Sequence, residues 1–431
     1  MGNGPARPFA ERMMALSAVA LAICLPLAPN LVPLLMAALA ISAIWPVQGR
    51  WERHALRPDS PLLWMFLLYL FHLIGLLWTT NMSFAGLDLG IKAPLLVFPL
   101  IYVFGQPLRD AENVQRWFIG ANALAVVLCL VHAVSTVAGN LAGGGAHQGT
   151  ALSGFALSVP FFSSEFSLFL HPTYMAMYLT LALLFLARPE VNRPWSACLT
   201  GTAGILLLLG VVLCASKAGW LLQFMAGLGT LAERWSERST RRIVAWGLSA
   251  ALITGLALYL GTDYVHERVG QVVQTLKEES PNDQASNSTD DRRLVWRAAA
   301  AVVADHPWTG VGTGDVKDEL LKVYAERGYA EPLRKKLNAH DQYLNTAVAL
   351  GFGGMALLLL MIVVPTVFAA RRRHVLLFSF LLLNGLNWLV ESMLEVQAGV
   401  VFLAFFAWLL TPEGSRTSPP NMLSTKRTDR P

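Results

Sequence analysis

Apolar runs of about 17–25 residues recur along the whole chain, separated by shorter polar segments. Runs of this length match what a helix needs to cross the hydrocarbon core of a bilayer. The apolar positions fall on every face of such helices, whereas a membrane β-barrel would show an alternation of period two. The pattern therefore predicts an all-α polytopic membrane protein.

The apolar blocks divide into about twelve predicted transmembrane helices. The first block resembles a signal peptide, but Pro29-Asn30 leads directly into a second apolar block, so it is interpreted as a retained helix. The predicted spans are Met13–Ala28, Leu31–Pro46, Pro61–Trp78, Leu87–Phe104, Trp117–Ala138, Phe166–Ala187, Ala197–Ala215, Ala218–Ala232, Ile243–Leu260, Tyr343–Ala369, Val375–Val390 and Val396–Leu410.

Composition supports this class of protein. Only 14% of the 431 residues are charged, against about 25% in a typical soluble protein. The four cysteines lie inside apolar blocks without metal-ligand spacing, which is typical of small buried hydrophobic residues. The net charge of +5 does not indicate nucleic acid as a partner, because the basic residues flank the apolar blocks.

Arginine and lysine predict the orientation. Placing the N-terminus inside puts 20 of the 33 basic residues in inner segments and leaves the short outer loops almost uncharged. Cytoplasmic loops carry such a basic excess. Both termini are therefore predicted to be cytoplasmic, and the long segment after the ninth span is predicted to lie outside.

Four regions follow from this layout. Residues 1–260 would form spans one to nine, 261–341 a long outer loop, 342–411 the last three spans, and 412–431 a disordered cytoplasmic tail. A further outer loop is predicted at Gly139–Pro160, which is rich in glycine.

Within the long loop, apolar periodicity predicts amphipathic helices that lie along the outer membrane surface. One covers Asp263–Glu279 and another covers Asp315–Arg327. A third begins near Arg292, after a cap in Ser288–Asp291, and runs to about Ala304. Gly310–Gly314 is predicted to be a turn.

His340 stands where the loop meets the tenth span. Asn338 is predicted to cap that helix, whose positive end would face the outer surface. A neutral histidine there could act as a general base toward a hydroxyl. The alternative is a structural histidine bonded to a loop carbonyl.

Arg292 and Arg293 suit recognition of phosphate or diphosphate, because the guanidinium fork matches phosphate oxygens. The alternative is a pair satisfied by Asp290, Asp291 or lipid headgroups. Lys217 is the only charge in a tight outer turn between two spans, and a cation at membrane depth indicates a function by default. Its alternative is a lysine that snorkels to the surface.

Weaker candidates lie near the outer ends of other spans. His171 and Tyr174 could line a cavity, or form a packed polar pair. Glu391 and Glu395 could pair with Lys217 or with an arginine of the loop. Adjacent carboxylates at Asp290-Asp291 are weak evidence for a metal, and the GVGTG turn at 310–314 follows no predicted strand, so it does not indicate a dinucleotide.

Taken together, four ordered motifs resemble the O-antigen ligase and O-antigen polymerase superfamily of bacterial inner membranes. The motifs are Ser216-Lys217-Ala218, Arg293-Leu294-Val295-Trp296-Arg297-Ala298-Ala299, His306-Pro307-Trp308-Thr309-Gly310-Val311-Gly312, and His340-Asp341-Gln342-Tyr343-Leu344 followed by Gly351-Phe352-Gly353-Gly354. The resemblance covers roughly residues 160–370 together with the twelve-span layout.

The resemblance implies a membrane glycosyltransferase of the GT-C type. Its donor would be an undecaprenyl-diphosphate-linked O-antigen, its acceptor a sugar hydroxyl of the lipid A–core oligosaccharide, and its site would face the periplasm. His340 resembles the family's essential histidine and Arg293 its loop arginine. Lys217 stands where the family usually has arginine, and a lysine cannot make the bidentate contact.

The expected reaction is a single inverting displacement. His340 would take the acceptor's proton, while Arg293 and Lys217 would stabilise the diphosphate leaving group. The predicted substrate-binding residues are Arg292, His171, Tyr174, Tyr343, Asp341 and Glu395. No cofactor is expected, and the turn Pro29-Asn30 has no carboxylate, which favours a metal-independent mechanism.

Other functions stay open at this point. An O-antigen polymerase would use the same donor with a lipid-linked glycan as acceptor, and a protein O-oligosaccharyltransferase would use a protein. A twelve-span transporter would need charges at mid-membrane depth in both halves, whereas the candidate charges here cluster on the outer side. A scaffold that binds lipid without catalysis would tolerate the loss of His340.

Overall fold

The computed structural model describes residues 9–45, 54–142, 159–214 and 288–411, and all regular secondary structure in these ranges is helical. The helices, in chain order, are α1 Phe9–Leu27, α2 Val32–Ile44, α3 Pro61–Ile74, α4 Met82–Lys92, α5 Pro94–Phe104, α6 Ala111–Ala142, α7 Ser163–Phe166, α8 Pro172–Leu186, α9 Pro189–Asn192, α10 Ala197–Leu213, α11 Ser288–Asp305, α12 Val316–Glu326, α13 Ala330–Lys335, α14 Gln342–Arg371, α15 Val375–Asn387 and α16 Gln397–Leu410.

Ten of the twelve predicted spans coincide with apolar helices of this structure. Four helical stretches in the described ranges are long and apolar enough to cross a membrane, and a fifth is obtained if α4 and α5 form one bent span. The other apolar helices are shorter, with 10–17 residues each. The eighth and ninth predicted spans and the predicted helix Asp263–Glu279 lie outside the described residues.

Two predicted spans differ from the structure, the fourth by a bend and the sixth by its first residue. The fourth is bent by 42° between α4 and α5, where Pro94 follows Ala93. Proline lacks the amide hydrogen that an uninterrupted helix would use at this position. The sixth was predicted from Phe166, but its helix begins at Pro172, because His171 is extended and precedes a proline.

The core is formed by aromatic side chains that join three helices. Phe118 on α6 contacts Phe406 on α16 with ring centroids 4.7 Å apart. Tyr178 on α8 stacks on Phe402 of α16, also at 4.7 Å. Aromatic pairs at this spacing add about 0.5–1.5 kcal/mol each beyond their buried area, so α16 is fixed in the middle of the bundle.

Polar contacts define the end of the bundle where α14 finishes. Arg372, directly after α14, forms an ion pair with Asp59 before α3. At the same end, Gln106 donates a hydrogen bond to the Trp45 carbonyl, 2.9 Å away. His340 lies just before the first residue of α14, so it occupies the opposite end of the bundle from Arg372.

The described part of the predicted outer loop is helical, with corrected boundaries. The helix predicted from Arg292 begins at Ser288, so Ser288–Asp291 form its first turn instead of preceding it. The prediction that Asn338 caps the next span is also wrong. Asp341 is the N-cap, because its carboxylate accepts from the Leu344 amide at 2.8 Å.

α14 is interrupted at Gly351, whose φ of 67° and ψ of −166° are not helical. The break frees the carbonyls of Val348 and Ala349, which accept hydrogen bonds from the amides of Val311 and Gly312 at 2.8 and 3.0 Å. The Phe352 amide in turn donates to the Pro307 carbonyl at 2.8 Å. Backbone groups inside an apolar bundle must be paired. The turn at residues 307–312 supplies the hydrogen-bond partners that the interrupted helix lacks.

Asp315 fastens the same loop to the turn before α4. Its carboxylate accepts hydrogen bonds from the amides of Thr80 and Asn81, both at 2.7 Å, and from the Thr80 hydroxyl at 2.9 Å. Asn81 also donates from its side chain to Asp318 at 2.7 Å. The loop is therefore attached to two elements of the helical bundle, α4 and α14.

Candidate functional site

His340 is held in a backbone conformation that is rare for a residue with a side chain. Its φ is 46°, in the left-handed region. The amide of His340 donates to the side-chain oxygen of Asn338 at 3.0 Å, which holds this turn. Such strain is kept where surrounding contacts determine the conformation, and it clusters at functional sites. Here it fixes the direction in which the imidazole leaves the chain.

Glu391, in the connection between α15 and α16, faces this imidazole. His340 Nδ1 lies 3.2 Å from Glu391 Oε1, with the histidine side chain 25% exposed and the glutamate 8% exposed. Burial favours the neutral acid, but the hydrogen bond from His340 and the charges of His340, His171 and Arg292 outweigh it, so the pKa of Glu391 lies below its ordinary value. The pair therefore joins an ionised carboxylate to a partly accessible histidine.

Two of the predicted site residues belong to the surroundings of this pair. Arg292, half-buried on α11, and His171, at the start of α8, both interact electrostatically with Glu391. His171 is exposed at the surface, but partial desolvation of its ring, reinforced by His340 and Arg292 and opposed by Glu391, lowers its pKa. The structure thus brings His340, Glu391, His171 and Arg292 to one place.

Tyr174 lies one turn along α8 and is buried. Its ring meets the His171 ring edge-on, with centroids 6.2 Å apart. It also interacts electrostatically with Glu391 and Glu395. Tyr174 therefore connects His171 to the two carboxylates.

The other predicted cations have different placements. Arg293 follows Arg292 on α11, where it is half-buried and engaged in contacts. Lys217 lies outside the described residues. The neighbouring carboxylate Asp291 pairs with Lys335 at 2.7 Å.

Asp341 and Tyr343 each serve the scaffold around the site. Burial raises the pKa of Asp341, although hydrogen bonds from the amides of Leu344 and Tyr343 oppose the shift. The Tyr343 hydroxyl donates to the Gly385 carbonyl at 3.0 Å, which ties α14 to α15. Both side chains flank His340 from the start of α14.

Glu395 has a partner that the sequence interpretation did not consider. The sequence suggests Lys217 or a loop arginine as a possible partner; among the described residues, Lys92 on α4 lies 3.0 Å from each of its carboxylate oxygens. Lys92 also pairs with Asp88, one turn earlier on the same helix. An aspartate and a lysine four residues apart inside an apolar block are the signal that would have found this cluster.

In the four described ranges, no group of three or more His, Cys, Asp or Glu side chains is arranged to hold a metal ion. The chemistry that the described cluster offers is proton transfer by His340, oriented by Glu391, beside a cation that suits phosphate.

Fold and site together define a class: a polytopic helical membrane protein with a histidine–carboxylate pair and an arginine at one end of its bundle. Residues 202–359 match a family model described as O-antigen ligase. The match supports membership of the O-antigen ligase superfamily, in agreement with the resemblance of the motifs. Members of this family are glycosyl-transferring enzymes. A search of curated proteins found no match.

The matched region contains some of the candidate residues and not others. His340, Arg292, Arg293 and Lys217 fall within residues 202–359. Glu391, which completes the pair with His340, lies beyond its end. The acid is therefore identified by geometry and not by the family match.

Proposed function

We propose that the protein is an O-antigen ligase. It would transfer O-antigen polysaccharide from undecaprenyl diphosphate to the lipid A–core oligosaccharide, completing lipopolysaccharide. The observation that carries this proposal is the His340–Glu391 pair, which stands beside Arg292 at the edge of the family domain. A base oriented by a carboxylate, next to a cation that suits phosphate, matches the needs of glycosyl transfer from a diphosphate.

The proposed reaction is one inverting displacement. The acceptor hydroxyl gives its proton to Nε2 of His340 as its oxygen bonds to the anomeric carbon of the donor sugar. The bond between that carbon and the diphosphate oxygen breaks, and undecaprenyl diphosphate leaves with the electron pair. Glu391, hydrogen-bonded at Nδ1, holds the ring in the tautomer that accepts at Nε2 and stabilises the imidazolium.

Cations would stabilise the leaving group. Arg292 acts electrostatically on the pair, and Arg293 follows it on α11, so both guanidinium groups are proposed to contact the diphosphate oxygens. Lys217 is proposed to add a third positive charge. Neutralisation by three side chains is the reason for proposing a mechanism without a metal.

His171 and Tyr174 are proposed to line the acceptor side, with Asp341 and Tyr343 contributing to the floor of the glycan site. Their placement around His340 supports this arrangement.

The proposed setting is the bacterial inner membrane. Twelve spans in a GT-C-type arrangement would place residues 261–341 in the periplasm and both termini, with the tail 412–431, in the cytoplasm. The separation of the Arg372–Asp59 pair from His340 at opposite ends of the bundle supports this orientation. The donor's apolar tail would lie against the helices, in contact with membrane lipids.

Deleting the gene in its host and separating lipopolysaccharide on a gel tests the proposal. Complementation with wild type, His340→Ala and Arg293→Ala is compared with two matched controls, His306→Ala and Arg297→Ala. The controls are exposed residues of the same loop and the same helix. Protein levels are measured in every strain.

The proposal predicts that the ladder collapses to bare lipid A–core in the deletion and returns with wild type and both controls. The two site variants are expected to lose about 10²-fold or more of the ladder. Lipopolysaccharide carrying a single O-unit would instead indicate a polymerase. An unchanged ladder in the deletion would refute both, and would favour a transporter or another glycan.

A further inference from the structure

A buried charge cluster lies beside the candidate site without touching His340. Lys92 on α4 is 1% exposed and pairs with Asp88 and with both oxygens of Glu395, at 3.0 Å in the latter case. Removing a cation and two carboxylates from water is costly, so such a cluster is retained only where its ions are paired. The reaction proposed above gives this cluster no role.

Gln342 connects the cluster to the segment that carries Glu391. It is fully buried, and its side-chain oxygen accepts a hydrogen bond from the Leu394 amide at 2.7 Å. Its side-chain nitrogen donates to Glu395 at 3.3 Å and to the Thr346 hydroxyl at 3.1 Å. Its own amide donates to the Trp388 carbonyl at 2.7 Å.

Gln342 therefore holds the Glu391 segment on both sides. Trp388 precedes Glu391 by three residues and Leu394 follows it by three, and both are hydrogen-bonded to the residue that lies two after His340. The segment has only the short turn Met393–Glu395 as regular structure, so its position depends on such side-chain contacts. Lys92 fixes the far end of the segment through Glu395.

We infer that Lys92 and Gln342 are positioning residues that hold Glu391 opposite His340. The expected effect on catalysis rests on the proposed function, whereas the positioning of the Glu391 segment rests on the hydrogen bonds described above. A base works only when its orienting partner is fixed within a few tenths of an ångström. Substituting a residue that holds such a partner in place typically lowers activity by about 10–100-fold.

An exchange of chemical groups tests the link between Gln342 and Glu395. Gln342→Glu places two carboxylates against each other, and Glu395→Gln removes half of the negative charge that Lys92 faces. In the double variant a carboxylate at position 342 accepts from the Leu394 amide, and an amide at position 395 donates to that carboxylate. The two positions together again carry one negative charge, and the amide oxygen at position 395 can accept a hydrogen bond from Lys92.

The assay measures kcat and KM for the lipid-linked donor with purified protein in lipid nanodiscs. Each single variant and Lys92→Met is expected to lower kcat by about 10-fold or more with KM unchanged, and the double exchange is expected to recover most of kcat. Tyr178→Phe is the matched control, because it removes a 2.8 Å hydrogen bond to the Ala398 carbonyl in the same bundle. It is expected to leave kcat within about twofold of wild type.

Hydrogen–deuterium exchange gives a readout that does not depend on activity. The three disruptive variants are expected to accelerate amide exchange in residues 388–395, and the double exchange and Tyr178→Phe are expected to leave it at the wild-type rate. Unchanged exchange in the disruptive variants, or a double exchange as inactive as its parents, would overturn the inference. If wild type shows no ligation, the proposed function is wrong, and exchange alone then decides whether Lys92 and Gln342 hold the segment.

Discussion

Gly351, at the break in α14, is a position where a single added methyl group should damage the fold. A Cβ atom there would lie 2.5 Å from the carbonyl carbon and oxygen of Trp308 and 2.7 Å from the carbonyl oxygen of Pro307. These are backbone atoms, so no change of rotamer relieves the contact. Gly351→Ala must therefore separate the loop turn from α14.

The expected cost has two sources. A non-glycine residue at φ 67° and ψ −166° costs about 1–3 kcal/mol. Separation also breaks the three backbone hydrogen bonds between the turn and α14, each worth about 0.5–1.5 kcal/mol net. Together they amount to about 2.5–7.5 kcal/mol, a large part of the total stability of a typical domain.

Thermal unfolding in detergent, followed by tryptophan fluorescence, measures the effect. Gly351→Ala is expected to lower the midpoint by about 3–8 °C, because each kcal/mol shifts the midpoint of a chain of this length by about 1 °C, and to accumulate poorly. Gly120→Ala on α6 is the control, because a Cβ atom there meets nothing within 4 Å. A Gly351→Ala midpoint within about 2 °C of wild type would refute the view that the turn at 307–312 is clamped to α14.

Three further predictions concern the loop and the site. Asp315→Ala should destabilise the fold by about 2–4 kcal/mol in chemical denaturation, because three donors lose their acceptor, while Asp318→Ala should cost less than about 1 kcal/mol. Equal effects of the two substitutions would contradict the attachment of the loop by Asp315. Contacts with Arg334 lower the pKa of Glu331 to about 2, so its contribution to stability is present above the unfolded value near 4.5 and is lost as pH falls toward 2. Protease resistance of the loop should therefore differ between wild type and Glu331→Gln at pH 7 and converge near pH 2, and a difference that persists there would contradict the sign. Glu391→Gln should lower ligation by about 10–100-fold at an unchanged protein level, and wild-type activity would exclude its orienting role.

Much of the helical layout could be predicted from the sequence, because apolar periodicity and length are local properties. Ten predicted spans coincide with helices of the structure. The breaks were missed at Gly351 and before Pro172, since an apolar run continues through both. The interruption of α14 depends on hydrogen bonds from the turn at residues 307–312. The apolar pattern of α14 itself carries no information about that turn.

The site was partly predictable for a similar reason. His340 stood out because it joins a polar loop to an apolar block, and Arg292 because it lies in an arginine pair. Glu391 was visible as a carboxylate at the edge of a span, but its partner depends on how α14 and α15 pack. Lys92 was overlooked, although its spacing from Asp88 inside an apolar block marked it.

The most direct test of the proposed reaction is ligation by the purified protein. Wild type and His340→Ala would be reconstituted with an undecaprenyl-diphosphate-linked glycan and lipid A–core, and the product's anomeric configuration would be read by NMR. The account predicts a glycan joined to the core with inverted configuration, and a loss of about 10²-fold or more in rate without His340. A retained configuration, or a His340→Ala variant as fast as wild type, would contradict it.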